Sequence, residues 1–318
     1  MRERSVIPGR FWFEWPWSGD VIALDVQMSV SIPAGITAIV KSRDLEPAVS
    51  VANGERTYVW HRQTLKRPTE SEQSVRDYGE RELRPAVQIS SFRSWADVGE
   101  AVGALWKDRA AVTPAIRAKA LELTRDAKTD ADKIDRLYAF VATRIRYVAV
   151  SLGVGSVQPH AADDVLKTGF GDCKDKHTLL AALLGAVGIA ADAALIGVGE
   201  GFDGGTPSLS PFNHVITVVH EASSVTWLDA TLEVAPRGFL AAPERDRSVL
   251  LLPASGAALV TKTPAAPSRP NEWRVAVEGT LDANGKLVAS VTETMSGDSE
   301  LFMRTVFRAL PKRNGRSF

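Results

Sequence analysis

Residues 169–180 read GFGDCKDKHTLL. Cys173, in the middle of this stretch, is the one cysteine in a chain of 318 residues. A glycine turn precedes it. A helix-like run follows, with Leu179, Leu180, Leu183, Leu184 and Val187 on one face and Gly188 as its C-terminal cap. The thiol therefore stands where a loop becomes a helix, close to unpaired backbone N–H groups and the positive end of the helix dipole. That setting favours thiolate, the nucleophilic form of cysteine. Asp172 is placed to be the N-cap. A lone cysteine is also often just a small buried residue. The neighbours Asp172, Lys174, Asp175 and Lys176 are, however, a poor setting for an inert core thiol.

A cysteine nucleophile needs a base within reach and a group that orients that base. The chain has five histidines. His61 lies in an early hairpin and His160 in the loop before the cysteine. His177 follows Cys173 by four residues on the same helical face, which makes it a rival base that needs no tertiary assumption. His214 opens and His220 ends the strand-like run HVITVVH, where His214, Ile216, Val218 and His220 share a face. A histidine at the mouth of an apolar strand, just after a loop, is well placed to face a cleft. The next run, TWLDAT, carries Asp229 near its end, so adjacent strands could hold His214 and Asp229 side by side. The other reading of Asp229 is a turn or cap residue. Gln158 is a candidate oxyanion donor beside the N–H of Cys173 itself, with a loop residue bonding backbone as its alternative. Asp175 reads as a helix cap or lysine partner, Lys174 and Lys176 as a solvated face, and Tyr147 as a packing residue at a helix end.

Outward from the site, residues 21–92 read as β structure, with Asn53-Gly54 as a hairpin turn and a polar linker from Lys66 to Pro85. Ser91–Lys107 has helical spacing, and Thr113-Pro114 begins another helix. Thr129 and Asp132 form a capping-box pattern ahead of the stripe Ile134, Leu137, Tyr138, Val141 and Ile145. Strand-like runs at 193–198, 212–220 and 224–231 follow the cysteine helix. A Pro-rich linker at 263–272 leads to a hairpin signature turning at Asn284-Gly285.

Composition narrows the function classes. Hydrophobic residues are 45% and charged residues 24%, as in a globular protein with a sizeable core. Lys plus Arg equals Asp plus Glu, 38 each, so net charge offers no reason to expect nucleic acid as a partner. One cysteine excludes an internal disulfide and makes a cysteine-built zinc site implausible. No stretch supplies the roughly 18 apolar residues of a membrane-spanning helix. The opening MRERSVIPGRFWFEWPWSGD is not the apolar core of an export signal.

The order GxGDCKDK-helix, then a strand with NHV, then a strand with WLDAT, resembles the transglutaminase-like cysteine superfamily. In particular it is similar to bacterial proteins with a β domain ahead of such a core. The lead-in TRIRYVAV and the loop GVGSVQPHAADDVLKTGFGDCKDK resemble the same family, and the likeness covers residues 90 to 255 or so. It implies an α+β, papain/transglutaminase-like core, in which a helix carrying Cys173 packs on an antiparallel sheet carrying His214 and Asp229. It implies Cys173 as nucleophile, His214 as base and Asp229 as the orienting carboxylate, without metal or cofactor. The implied activity is hydrolysis of peptide or amide bonds in a protein or peptide substrate, in the periplasm or cell envelope. Amine-transferring cross-linking with the same triad, or a non-catalytic envelope scaffold, are the alternatives. By the same resemblance, 1–90 is expected to be a partial β-sandwich-like domain, 91–262 the core, and 263–318 the start of a C-terminal β domain. The chain would then be a fragment of a longer protein. The aromatic residues Phe11, Trp12, Phe13, Trp15 and Trp17 would be core without its partner strands, or else an exposed binding patch.

Overall fold

The computed structural model describes residues 6–15, 22–43, 45–64, 87–149, 153–199, 201–222 and 224–310. The first elements are β1 (Trp12–Trp15), β2 (Ala23–Pro33), β3 (Ile39–Ser42), β4 (Ala48–Ala52), β5 (Glu55–Thr64) and β6 (Val87–Ser90). They form two three-stranded antiparallel sheets, ordered β1-β6-β3 and β2-β5-β4. Asn53 and Gly54 both take positive φ, 53° and 78°, at the β4–β5 turn, the backbone that an Asn-Gly hairpin requires. The linker expected at Lys66–Pro85 lies outside the described residues.

The expectation that the aromatic cluster lacks partners is corrected here. β1 pairs with β6 along its whole length. Phe11 and Trp15 pack on the buried Trp60, Val87 and Ile89, and Trp12 meets the Phe92 ring at 5.8 Å. Phe13 is the exposed member, and Trp17 lies outside the described residues.

The central elements are α1 (Trp95–Trp106), α2 (Pro114–Thr124), α3 (Asp130–Arg144), β7 (Arg146–Tyr147), α4 (Ala162–Thr168), β8 (Phe170–Gly171) and α5 (Cys173–Ala186). They are followed by β9 (Ala191–Ile196), β10 (His214–His220), β11 (Val225–Leu228), β12 (Ser248–Leu252) and β13 (Leu259–Lys262). The helix starts follow their caps. Thr113 accepts from the Ile116 N–H ahead of Pro114, and Thr129 with Asp132 closes a full capping box.

β9 to β13 form one antiparallel sheet ordered β11-β10-β9-β12-β13. α2, α3, α4 and α5 pack together over it, burying Ile116, Ile134, Leu137, Leu179 and Leu183 against Val219 and Leu228. α5 is buried along nearly its whole length, as befits a helix between a sheet and three other helices. Beyond this core come a hairpin, β14 (Glu272–Leu281) with β15 (Leu287–Ser296), and a final helix, α6 (Asp298–Ala309), which the sequence reading did not anticipate.

Candidate active site

The N-terminus of α5 is built by its own sequence. Asp172 is the N-cap and accepts from the Lys174 and Asp175 N–H groups. Asp175 at N3 accepts back from the Asp172 N–H at 3.2 Å, completing a capping box. Asp175 also accepts from the His160 backbone N–H at 2.7 Å and meets the His160 Nδ1 at 3.0 Å, which ties the preceding loop to the helix start. The chain passes so close here that a Cβ on Gly171 would lie 2.5 Å from the Asp175 Cβ, so the position admits no side chain.

The two lysines depart from expectation. Lys174 and Lys176 are both buried rather than solvated. The Lys174 ammonium pairs with the Asp172 carboxylate. The Lys176 Nζ donates to the carbonyls of Ala142 and Ala230, at 3.1 and 3.0 Å, joining the end of α3 to the chain after Asp229. Burial lowers its pKa, while the charges of Glu233 and Asp229 act the other way.

Cys173 and His214 line one cavity of about 340 Å³, with Val102, Trp106, Leu195 and Phe212 among its apolar walls. His214 heads β10, and Asp229 directly follows β11, its antiparallel neighbour. The His214 Nε2 lies 3.0 Å from the Asp229 Oδ2, so Nδ1 is the ring nitrogen that Asp229 does not engage. Burial opposes charge on this imidazole. Hydrogen bonds to Asp229 and Cys173, and the negative charge of Asp229, outweigh it and raise the His214 pKa to about 10. Burial would likewise raise Asp229, but the His214 hydrogen bond and charge, with Glu244 and Thr231, hold it down to about 2. Thr231 donates to Asp229 from its N–H and its hydroxyl, both at 2.7 Å from Oδ1.

The other expected residues are placed elsewhere. His177 is a core histidine: its Nδ1 is 2.9 Å from the Thr217 Oγ1, its ring lies 5.7 Å from Trp106, and burial lowers its pKa to about 4. The Gln158 side chain donates to the Leu105 carbonyl at 2.8 Å and does not line the cavity, matching its backbone-bonding alternative. Tyr147 corrects the packing reading. The parallel pairing of β7 with β8 sets it opposite Gly171, and it lines the cavity beside Cys173, half exposed. Burial, then the neighbouring Cys173 and Asp172, raise its pKa.

Thr231 and Glu244 went unread in the sequence. Thr231 carried a signal, because an Asp followed two residues later by Thr is a local side-chain-to-backbone motif. Glu244 carried none, since an acid ending a short turn looks like any surface cap. Among the described residues, His214, Asp229 and Glu244 are the group whose donor atoms come close enough to share a cation, within 4.8 Å of one another. Both Asp229 oxygens accept hydrogen bonds from His214 or Thr231.

Comparison with known proteins agrees with this architecture. Residues 117–199 match the model of the Transglutaminase-like superfamily, a span that contains Cys173 and ends before His214. The chain is similar to a crystal structure from Parabacteroides distasonis described as a "putative protease", with a TM-score of 0.60 and 14% identity. That match covers 77% of this chain and 45% of the other, so the chain spans less than half the length of that relative. A second structure, a "putative cysteine protease" from Cytophaga hutchinsonii, aligns with a TM-score of 0.34 and 12% identity, covering 71% of this chain and 74% of that one. No curated protein sequence matches. The chain thus shares its α+β fold with the Parabacteroides distasonis structure, and its residues 117–199 are similar to the Transglutaminase-like superfamily.

Proposed function

We propose that the protein is a cysteine acyl-transfer enzyme that hydrolyses peptide or amide bonds. One observation carries this reading: His214, hydrogen-bonded to Asp229, shares a cavity with the thiol at the head of α5. In this mechanism the Cys173 proton already resides on the His214 imidazole, and the thiolate attacks the carbonyl carbon. The carbonyl π electrons move to oxygen, and the Cys173 N–H, at the open end of the helix, is the donor suited to receive that oxyanion. His214 then protonates the leaving amine as the C–N bond breaks, leaving a thioester. Water, deprotonated by His214, attacks the thioester and releases the acid and the thiol. Asp229 keeps the imidazole in one tautomer and balances its charge.

The chemical logic of the pair is testable on the thiol itself. Iodoacetamide is expected to label native Cys173 quickly, and His214→Ala to slow that labelling by about 10²-fold or more. Equal labelling of the two proteins would overturn the Cys–His reading. Incubation with peptides in water and then with added amines separates hydrolysis from amine transfer by the product that forms.

A further inference from the structure

We propose that Glu244 is a protonated positioning residue of this site, its carboxyl O–H donating to Asp229 and fixing the carboxylate that orients His214. The inference rests on the acyl-transfer reading only for the word positioning; the proton itself follows from geometry.

Glu244 ends the short turn Ala242–Glu244 and is buried. Its Oε2 accepts from the Ala241 N–H at 2.9 Å, and its backbone carbonyl accepts from the Thr263 hydroxyl at 2.7 Å, so the residue is anchored from two sides. Its Oε1 is 3.9 Å from the His214 Nε2, and ligand atoms of His214, Asp229 and Glu244 all lie within 4.8 Å of one another, so the two buried carboxyls crowd each other. Two carboxyls bond one another only if one of them keeps a proton.

The donor count says which. Asp229 accepts from the His214 ring, the Thr231 N–H and the Thr231 hydroxyl, three donors that favour its ionised form and leave one lone pair open, whereas the Glu244 carboxyl accepts from the Ala241 N–H. The proton therefore sits on Glu244. The other polar groups nearby have partners of their own, apart from the Arg245 Nη1, which is buried without one. The Tyr138 hydroxyl of α3 donates to the Asp229 backbone carbonyl at 3.0 Å. Lys176 of α5 donates to two carbonyls, and Arg245 turns to Asp298 at 2.6 Å. His214 is thus the cation bonded to Asp229, and the Lys176 charge on α5 also acts on that carboxylate. Burial first, then the bond to and charge of Asp229, raise the Glu244 pKa to about 9, in agreement with this count.

The arrangement has a chemical purpose. An ionised Glu244 would add a second negative charge beside His214 and hold the imidazolium too firmly to release its proton. A neutral acid steadies Asp229 without that charge.

Infrared difference spectra of wild type against Glu244→Gln test the proton directly. A C=O stretch of a protonated carboxyl is expected at pH 7, absent in the variant and lost in wild type as pH rises through about 9. Glu244→Gln keeps an N–H donor for Asp229, so Cys173 labelling at neutral pH is expected within about threefold of wild type. Glu244→Leu removes the donor and is expected to slow it about tenfold or more and to shift the His214 ring titration seen by NMR. Absence of the band in wild type overturns the proposal. So does a Glu244→Gln rate as low as that of Glu244→Leu, or a Glu244→Leu rate equal to wild type. If Glu244→Leu does not fold, the band and the Gln variant still decide. A wild-type thiol that fails to react would sink the acyl-transfer reading alone, and the band would still judge the proton.

Discussion

His177 and His214 begin from the same unperturbed pKa and end on opposite sides of it, at about 4 and about 10. Both are buried. The difference is the partner: Thr217 offers His177 a hydroxyl, whereas Asp229 offers His214 a charge. His177 therefore favours its neutral form in the folded protein. Its contribution to stability is full above pH 6.5 and is lost as pH falls from 6.5 through about 4, because the unfolded chain then binds a proton that the folded one refuses. Across that window the loss is on the order of 3 kcal/mol. Glu244 slopes the other way over part of the range, its raised pKa favouring the folded state at low pH, so only a comparison of variants isolates His177. The gap in urea midpoint between wild type and His177→Gln is expected to shrink in favour of the variant as pH falls from 7 to 4. An unchanging gap would contradict the assignment.

At the scale of elements, α5 is the part on which the site turns, and its first turn is electrostatically unusual. A cap, a capping box and a buried ion pair meet in four residues, Asp172 to Asp175. Asp172 serves the helix backbone and the Lys174 ammonium together. Removing it strips two N–H groups of their acceptor and leaves a buried cation unpaired. Asp172→Ala is expected to cost about 3–5 kcal/mol by chemical denaturation, mostly from the stranded lysine. Asp172→Asn keeps the cap but not the charge and should fall between. If the alanine variant loses no more than the ~1 kcal/mol of an ordinary cap, the ion pair is not a structural element of the site.

For the whole molecule, the site lies where the helical layer meets the end of the five-stranded sheet, and the remaining β elements lie outside that meeting point. The hairpin of β14 and β15 differs from the rest. One of its faces aligns Trp273, Val275, Val277 and Leu281 with Val291 and Leu287, all largely exposed. Long two-stranded ribbons with an apolar face and open edges tend to pair with other chains. The protein is expected to self-associate with rising concentration, and Val277→Lys should reduce this in light scattering while leaving Cys173 labelling unchanged. Equal association of the two proteins would show that this face is not responsible.

Local chemistry determined a good deal of this protein from sequence alone. The caps at Asp172, Thr113 and Thr129, the Asn53-Gly54 turn, the helical stripes and the placement of a lone thiol at a helix start all follow from contacts within a few residues. The order of a cysteine helix, a histidine strand and an aspartate strand was also readable, and with it the class of fold. Tertiary structure alone placed His177 against Thr217 and His214 at the cavity, because i, i+4 spacing is equally consistent with facing the cavity or the core. It buried Lys174 and Lys176, which composition assigns to water, the first beside the neighbouring Asp172 carboxylate and the second by supplying two carbonyls from elements distant in sequence. It also brought Glu244 to Asp229 across fifteen residues of loop. Burial and long-range partners set the protonation of such groups, and neither is written in the neighbouring letters.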